Sequence, residues 1–493
     1  MESHHPPPRQ SADVAAAAAA SSPEAMQRVF DVAPLNVTNR QRRLTVTIFI
    51  IACNIIQMIC NLIGVAGGLD ISRRLGVSGI HANWVAAAYP LTQGTFVLIS
   101  GRFGAVYGHK NMFLLGCIVL ITFTFICGFC NNFIAFNAMR ALSGIGGAFI
   151  MPNAVAMIGI TNPPGFARNL SLAFFGASAP IGGYVGALIV GGFIQGSSLL
   201  WMFTLIAGVG LLAAIPLWAL LPREVPVDRN VASIVLFIGY GIWEHYFATD
   251  PIMPLSIFKA PSFTPLIFVV LMNFMATGTL LWYTVAWLEE VRGWSPMQFA
   301  VGWTPFGICG VAAAFLAAYL IPRVPAQYIL AIGTTCMLLA NLLIATMPAQ
   351  QSYWYQVFPS TIVTAFCPDL VYTAAQIITS NSVSRSQQGI AGSLIGSLLL
   401  YGNSLGLGFA STVESEVAKK TGDVVTGYRS ALFFAVGICV VALVLDFAFV
   451  RLVHDNREGW DDPADADPAD EVTAPVVATG TELRELSSQV EQR

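Results

Sequence analysis

The feature that most constrains the fold of this chain is a series of long apolar runs, each near the length of about 20 residues that a helix needs to cross a bilayer. Because lipid offers no hydrogen-bond partners, a segment that crosses it alone must satisfy its backbone as a helix. The pattern therefore predicts an all-α polytopic membrane protein. The predicted spans form two sets of six, at residues 45–68, 84–100, 112–130, 133–160, 169–194 and 199–221, then 263–288, 297–321, 327–348, 353–380, 389–413 and 429–453.

Composition supports a membrane protein and excludes other classes. Hydrophobic residues make up 55% of the chain and charged residues 10%, whereas soluble domains carry about 25% charged residues. The net charge is only -3, and the basic residues are scattered between apolar runs, so we expect no nucleic-acid partner. The sequence contains no catalytic triad, metal-ligand cluster or Walker loop. We therefore expect a monomer in the lipid bilayer that is not an enzyme and holds no cofactor or metal.

The positions of Lys and Arg predict the orientation, since short cytosolic loops are enriched in both. Arg73 and Arg74 oppose the majority, as do three basic residues late in the chain. Most basic residues of the first half fall on one side of the membrane, which predicts that this side and both termini are cytosolic. These residues are Arg40, Arg42, Arg43, Arg102, Lys110, Arg168, Arg223 and Arg229.

The same reading predicts the domain organisation. A short apolar segment at 231–247 ends in Glu244 and His245, and a net crossing there would invert every later loop. We expect it to lie in the interface, to re-enter the membrane or to mark a missing helix. The predicted parts are a disordered cytosolic arm (1–42), a six-helix bundle (43–222), a linker (223–262), a second six-helix bundle (263–453) and a disordered acidic cytosolic tail (454–493).

The two halves resemble each other. The segment that starts at Met151 aligns with the one that starts at Cys367: each has a proline inside a span, a short polar loop with one arginine and a glycine-rich span. A parallel six-plus-six repeat predicts a transporter with its site between the halves.

Three motifs then indicate a family. They are Gly101-Arg-Phe-Gly-Ala-Val-Tyr-Gly-His-Lys110, Arg140-Ala-Leu-Ser-Gly-Ile-Gly-Gly147 and Gly176-Ala-Ser-Ala-Pro-Ile-Gly-Gly183. With these motifs, the chain from Arg43 to Val453 resembles the major facilitator superfamily. Within it, the chain is most similar to the fungal fourteen-span drug:proton antiporters, in the group of aminotriazole/boron-resistance and low-affinity ammonium transporters. That branch places two extra helices between its halves, where this chain has only the segment 231–247.

The resemblance implies that the first motif gates the cytosolic side. Ala105 stands where the family has an aspartate that locks this side against a helix N-terminus. Such a contact contributes roughly 0.3–2 kcal/mol, so we expect a weaker outward-open lock here. The gating residues expected from the motif are Gly101, Arg102, Ala105, Gly108, His109 and Lys110.

Arg140 and Asp369 are the predicted proton-coupling residues. A guanidinium inside a span costs at least ~2.5 kcal/mol, so Arg140 must face a cavity or a partner. The resemblance implies a role in coupling, while a structural ion pair or a head group that reaches the surface is the alternative. Asp369 aligns with Asn153, and burial would let its carboxyl group load and release a proton. A helix cap after Pro368 is the alternative.

Other acids are expected elsewhere. Asp446 is expected to pair with Arg451 or to reach water, and Glu289 and Glu290 are expected at the membrane interface.

Two further sets complete the predicted site. In the family the glycine motif accompanies export, and simple helix packing is its alternative; its residues are Gly176, Pro180, Gly182, Gly183 and Gly186. The second set could line a substrate cavity or form ordinary interhelical hydrogen bonds. It consists of Asn54, Gln57, Asn61, Tyr89, Gln93, Asn273, Trp282 and Tyr283.

The function that these features favour is proton-coupled efflux of a small organic compound, such as a drug, toxin or secondary metabolite, by alternating access. We expect the protein in the plasma membrane or the vacuolar membrane. One alternative is a low-affinity facilitator or importer of ammonium or borate, favoured by the absence of an acid in the first span and by Ala105. A non-transporting sensor or defective paralogue is the alternative from another class.

Overall fold

A computed structural model describes residues 40–77, 79–162, 166–221, 263–320, 323–382 and 388–450. The first half contains α1 (Arg40–Ala66), α2 (Gly68–Arg74), α3 (Asn83–Tyr107), α4 (His109–Cys127), α5 (Phe133–Thr161), α6 (Phe166–Gly196) and α7 (Leu199–Leu220). The second half contains α8 (Phe263–Ala286) with a π-helical turn (Trp287–Val291), α9 (Pro296–Gly302), α10 (Thr304–Leu320), α11 (Ala326–Ala345), α12 (Val357–Ser382), α13 (Gln388–Thr421) and α14 (Val424–Phe449).

Within this described part, 11 helical segments are long and apolar enough to cross a membrane. α3 has 25 residues and lies among them in the bundle. The predicted all-α polytopic fold is therefore confirmed. The predicted linker 223–262, with its segment 231–247, and the predicted tail 454–493 lie outside the described residues, as does the arm up to residue 39. α1 already begins at Arg40.

The first motif is helical over most of its length, not a loop between two spans. α3 continues through Gly101 and Gly104 to Tyr107, and α4 begins at His109. Only Gly108 interrupts the helices, with φ 91° and ψ 128°. Residues with a Cβ atom rarely adopt such positive φ angles, so glycine is suited to this one-residue turn.

The two halves meet at two places. In one, α3 packs against α13, and in the other, α6 packs against α9 and α10. The backbones approach closely at glycines: a Cβ atom added to Gly310 would lie closer than 3.0 Å to Pro180, and one added to Gly307 would lie 2.9 Å from Cβ of Tyr184. Small residues on α10 therefore allow α6 of the first half to pack closely against the second half.

We call the end of the helical bundle that contains Arg73 the Arg73 end, and the opposite end, which contains Lys110, the Lys110 end. At the Arg73 end, the halves touch directly, because Nη2 of Arg73 in α2 lies 3.0 Å from Oε1 of Glu290 in the π-helical turn. A Cβ atom added to Gly68 would lie 2.6 Å from the ring of Trp282. The structure is therefore closed at the Arg73 end, which the charge distribution predicts to be the outer one.

Basic side chains at both ends bind the carbonyl groups at helix C-termini. Arg42 donates to the carbonyl of Leu220 at 2.6 Å, and Lys110 donates to that of Leu221, so both bind the end of α7. Arg74 donates to the carbonyl of Ser197 at 2.8 Å, beyond the end of α6. Cations are favourable at these negative ends of helix dipoles. This contact explains how Arg74 is accommodated at the end where the charge rule disfavours it.

Candidate transport site and coupling residues

Arg140 is the central charged residue of the first half. It lies in α5, its side chain is 2% exposed, and it is held by backbone carbonyls. Nε donates to Val85 at 2.9 Å, Nη1 to Cys60 at 2.9 Å and Nη2 to Asn61 at 3.3 Å. In the described part of the chain Arg140 forms no ion pair, and its burial excludes a head group at the surface. The guanidinium therefore joins α1, α3 and α5.

The position of Arg140 depends on Gly64, which sequence reasoning missed. A Cβ atom on Gly64 would lie closer than 3.0 Å to Nη2 of Arg140 and 2.5 Å from the carbonyl oxygen of Val85. Only a residue without a side chain leaves this space for the guanidinium. No motif marks Gly64; its one sequence signal is its place one helical turn after Cys60, whose carbonyl Arg140 binds.

The amide side chains of α1 form a polar network with Tyr89. Nε2 of Gln57 donates to the Tyr89 hydroxyl at 3.3 Å, and Cζ of Arg140 lies 5.5 Å from the centre of the Tyr89 ring. Asn54 donates to the Ser178 hydroxyl in α6. The structure thus brings Gln57 and Tyr89 into the neighbourhood of Arg140, while Asn54 links α1 to α6.

Several atoms of these buried amides have no partner among the described residues. They are Oδ1 of Asn54, Oε1 of Gln57, and both Oε1 and Nε2 of Gln93, one helical turn after Tyr89. Buried polar groups without partners are costly unless water or a solute satisfies them. These atoms are therefore polar groups near the centre of the first half that a solute could use. Asn61 contributes its backbone carbonyl to Arg140.

The second-half residues of the predicted cavity lie in two other places. Asn273 in α8 donates to Thr334 at 3.0 Å and accepts from the Cys367 thiol at 3.0 Å, which links α8 to α11 and α12. Trp282 packs against Gly68, and Tyr283 donates to Glu414 at 2.7 Å. The structure therefore does not join these three residues to the amide network of α1.

Asp369 lies inside α12, which continues without a break from Val357 to Ser382. Twelve residues into a continuous helix, it does not cap a helix that begins after Pro368. Its side chain is partly exposed, and within the described residues its carboxylate has no hydrogen bond or ion pair. An acid without a fixed partner in the middle of a span is able to exchange a proton or meet a solute.

The counterpart of Asp369 in the first half, Asn153, is fully engaged. Its Oδ1 lies 2.8 Å from Nδ1 of His109, and its Nδ2 donates to Phe149 at 2.8 Å and to Ser100 at 3.4 Å. A Cβ atom on Gly104 would lie closer than 3.0 Å to Oδ1 of Asn153. The residue that the sequence alignment pairs with Asp369 is therefore a bonded amide, whereas the Asp369 carboxylate has no side-chain partner among the described residues.

The remaining residues of the first motif lie around this amide. Gly101 and Gly104 belong to α3, Gly108 makes the turn, and Lys110 binds the end of α7. The side chains of Arg102 and Ala105 are outside the described part of the structure. The weaker lock at Ala105 stays a prediction.

The glycine motif of α6 packs that helix against both halves. Cβ atoms on Gly182 and Gly183 would each lie 2.6 Å from side-chain atoms of α1, those of Met58 and Leu62. Pro180 fills the space left by Gly310, whereas Gly186 makes only ordinary contacts and Gly176 has nothing within 4 Å. The motif therefore has a packing role, which leaves its association with export untested.

Two acids with expectations from the sequence are buried in the structure, and the expected pairing of Asp446 with Arg451 involves a residue outside the described part. Asp446 in α14 is 0% exposed, and neither carboxylate oxygen has a hydrogen-bond partner in the described part, which ends before Arg451. Glu289 is 7% exposed and its oxygens also have no partner there, although we expected it at the interface. The short α2, which the apolar pattern did not predict, covers the Arg73 end and explains the burial of Glu289.

This architecture defines a class of protein: a polytopic carrier with two packed groups of membrane helices, a buried cation and a mid-span acid. Residues 48–407 match the model of the Major Facilitator Superfamily, and the chain belongs to this family. It is a multi-pass membrane protein and a secondary transporter of a small-molecule substrate, not an enzyme.

Curated relatives are fungal transporters. The chain is 33% identical to an uncharacterised MFS-type transporter of Schizosaccharomyces pombe, over 78% of this chain and 83% of the relative. It is 29% identical to the efflux pump terJ of Aspergillus terreus, over 78% and 82% of the two chains. Identity is also 29% to the low affinity ammonium transporter of Saccharomyces cerevisiae, over 72% and 78%. These relatives agree with the branch that the motifs indicated.

Solved structures share the fold. A bacterial homologue of the human lysosomal transporter Spinster, in an inward-facing and unoccupied conformation, aligns with a TM-score of 0.63 at 18% identity. The alignment covers 83% of this chain and 97% of that structure.

Proposed function

We propose that this protein exports a small organic compound in exchange for protons. The observation that carries the proposal is the Asp369 carboxylate, which lies mid-span without a partner among the described residues, whereas its counterpart Asn153 is hydrogen-bonded on every side. The Asp369 carboxylate of the second half can therefore titrate, whereas the Asn153 amide of the first half cannot. Similarity to the efflux pump terJ supports export.

The cycle follows from alternating access. Substrate enters from the cytosol or the inner leaflet and contacts the unpartnered amide atoms of Asn54, Gln57 and Gln93. A proton that reaches Asp369 from outside neutralises it and releases the substrate. Each proton that moves down a membrane potential of 100 mV releases about 2.3 kcal/mol, which is sufficient to drive export of the substrate against a concentration gradient. We place the protein in the plasma or vacuolar membrane, with both termini in the cytosol.

Arg140 has a positioning role in this cycle. Because its guanidinium binds carbonyls of both α1 and α3, it holds the amide network of α1 at a constant distance from α5. A permanent charge among neutral groups also disfavours a second cation nearby. Arg140 therefore shapes the polar surface that faces the substrate.

A low-affinity facilitator is the second candidate. α1 offers amides but no acid at the polar network, and such groups bind small solutes through hydrogen bonds without a proton step. Similarity to the low affinity ammonium transporter supports this candidate.

Reconstituted vesicles separate the two candidates. An internal pH dye reports proton flux on addition of rhodamine 6G or aminotriazole, and radiolabelled methylammonium reports facilitated uptake. Antiport predicts solute-dependent proton flux that is lost in Asp369→Asn. Glu416→Gln is the matched control, because this acid is exposed and, within the described residues, pairs only with Lys419. Proton flux that survives Asp369→Asn would refute the assignment, and methylammonium uptake without a pH signal would favour the facilitator.

A further inference from the structure

A cluster of charged groups joins the two halves at the Arg73 end. In α2, Nη1 of Arg73 lies 3.1 Å from Oδ1 of Asp70, and its Nη2 lies 3.0 Å from Oε1 of Glu290 in the other half. Glu289 precedes Glu290 in the same π-helical turn. The Arg73 guanidinium therefore pairs with one carboxylate from each half, and Glu289 is the third carboxylate of this cluster.

Glu289 is the member of this cluster without any donor. It is 7% exposed, and neither carboxylate oxygen has a hydrogen-bond partner among the described residues. Oδ2 of Asp70 is also buried without a partner there. The charges that act on Glu289 are those of Asp70, Arg73 and Glu290. Arg73 is already shared between the other two acids.

The other charged and titratable groups around the turn are engaged elsewhere. From α14, Tyr428 donates to Glu290 and Arg429 donates to the carbonyl of Met347; the short α9 carries no titratable residue. Arg74 donates to Ser197, Arg292 donates to Ala349 and Tyr283 donates to Glu414. Nη1 of Arg292 and Nε of Arg429 are buried without a partner among the described residues.

Closure of the Arg73 end therefore has an electrostatic condition. With all three acids ionised, three negative charges would surround the Arg73 guanidinium, with Arg74 as a further cation that acts on Asp70, and Asp70 and Glu289 would repel each other across the halves. An ionised carboxylate buried without a donor is strongly disfavoured, whereas a protonated one is not. When the end opens, water reaches Glu289 and stabilises its ionised form.

We infer that Glu289 is a proton-binding site whose occupancy closes the Arg73 end. A proton from the aqueous phase at this end forms an O–H bond with a Glu289 carboxylate oxygen as α2 packs against the turn. The bond breaks and the proton returns to water when the halves separate. The site takes no ligand other than a proton, and it operates in an antiporter and in a facilitator alike.

Distances between spin labels at the Arg73 end test this inference. Ser198 and Ser352 are exposed residues of the two halves at this end, and cysteines there accept nitroxide labels after replacement of the accessible Cys130, Cys309 and Cys336. The full-length protein is measured in nanodiscs by electron–electron double resonance. A change from mildly acidic to mildly alkaline buffer should shift the wild-type distances from closed to open. Distances that do not respond to pH would overturn the inference.

Three variants identify the titrating group. Glu289→Gln should stay closed at every pH, and wild-type pH dependence in this variant would overturn the inference. Asp70→Asn removes a neighbouring negative charge, so the transition should move to lower pH; an unchanged midpoint would also overturn it. Glu416→Gln, an exposed acid, should behave like the wild type.

The outcome is independent of the antiport mechanism. The distance measurement needs neither solute nor flux, whereas the antiport proposal is tested by proton flux in Asp369→Asn. Loss of pH-dependent opening in Glu289→Gln would support the gate even if Asp369 proved silent.

Discussion

The Nδ1 atom of His109 lies 2.8 Å from the Oδ1 atom of Asn153, which ties the first turn of α4 to α5 at the Lys110 end. Because Nδ2 of Asn153 donates to two carbonyls, Oδ1 must accept, and Nδ1 of His109 therefore carries a proton. The first motif is thus fixed by an amide of a different helix.

Removal of this amide should destabilise the Lys110 end. Asn153→Ala loses the bond to His109 and leaves the partners of a buried group unsatisfied, which should lower the free energy of unfolding by about 1–3 kcal/mol. Thermal unfolding in detergent measures the change. Asn111→Ala is the control, because this exposed asparagine donates only to the Tyr107 carbonyl of the preceding turn. Equal effects of the two variants would show that the buried bonds contribute nothing special.

Gly64→Ala should displace Arg140. The added methyl group occupies the space of the Arg140 guanidinium, so we expect loss of transport and a lower melting temperature. Gly437→Ala is the matched control in α14, where nothing lies within 4 Å of an added Cβ atom. Alanine favours a helix over glycine by about 1 kcal/mol, so this control should be neutral or stabilising. A Gly64→Ala protein with wild-type transport would show that Arg140 tolerates displacement.

Ala105→Asp should restore the lock of the first motif. A carboxylate at this position would favour the state that is closed at the Lys110 end by roughly 0.3–2 kcal/mol through a helix N-terminus. The distance between labels at Ser198 and Ser352 should then increase, as the Arg73 end opens. Ala105→Asn adds similar volume without charge and serves as the control. Unchanged distances in Ala105→Asp would mean that the position is silent in this protein.

Asp423 should stabilise the start of α14 in a pH-dependent manner. Its side chain accepts from the Thr426 hydroxyl at 2.6 Å and from the amides of Val425 and Thr426 at 3.1 Å. The hydrogen bond from the Thr426 side chain, with those from the backbone amides, holds the pKa of Asp423 below its usual range. A lowered folded-state pKa means that the stabilisation is present above the ordinary pKa of an aspartate and is lost as pH falls through the lowered one.

Melting temperatures of Asp423→Ala across pH measure this effect. The variant should be less stable than the wild type at neutral pH, and the difference should shrink in acid as the wild-type carboxylate protonates. Asp423→Asn, which also caps helices well, should show a smaller loss at neutral pH. A loss in Asp423→Ala that is equal at all pH values would contradict the role of the ionised cap.

The first motif shows how far local sequence reaches. Its glycines do not by themselves predict the local structure, because glycine serves both in turns and in tightly packed helices. Only Gly108 makes the turn, while Gly104 lies in α3 against Asn153. The choice between the two uses depends on a residue almost fifty positions away, which no local pattern contains.

The candidate site also combines residues that the sequence predicted with contacts that only the structure reveals. Gln57, Tyr89 and Arg140 were predicted, and the structure groups them in one network, whereas the predicted Asn54 binds Ser178 in α6. The partners of Arg140 could not be predicted, because they are backbone carbonyls, which every residue has, and because Gly64 belongs to no motif. The burial of Glu289 depends on α2 of the other half, which is too short to show in the apolar pattern.

The apolar runs predicted most of the membrane helices, and the motifs indicated the family. Apolar runs must form helices in lipid, because each run satisfies its own backbone hydrogen bonds, and that requirement is local. Tertiary structure alone decided which charges meet. Arg73 and Glu290 are far apart in the chain, and their contact exists only because the two halves close over them. Contacts between distant segments depend on the packing of whole helices, so the burial of Glu289 and the site it forms follow from the fold and not from the residues around it.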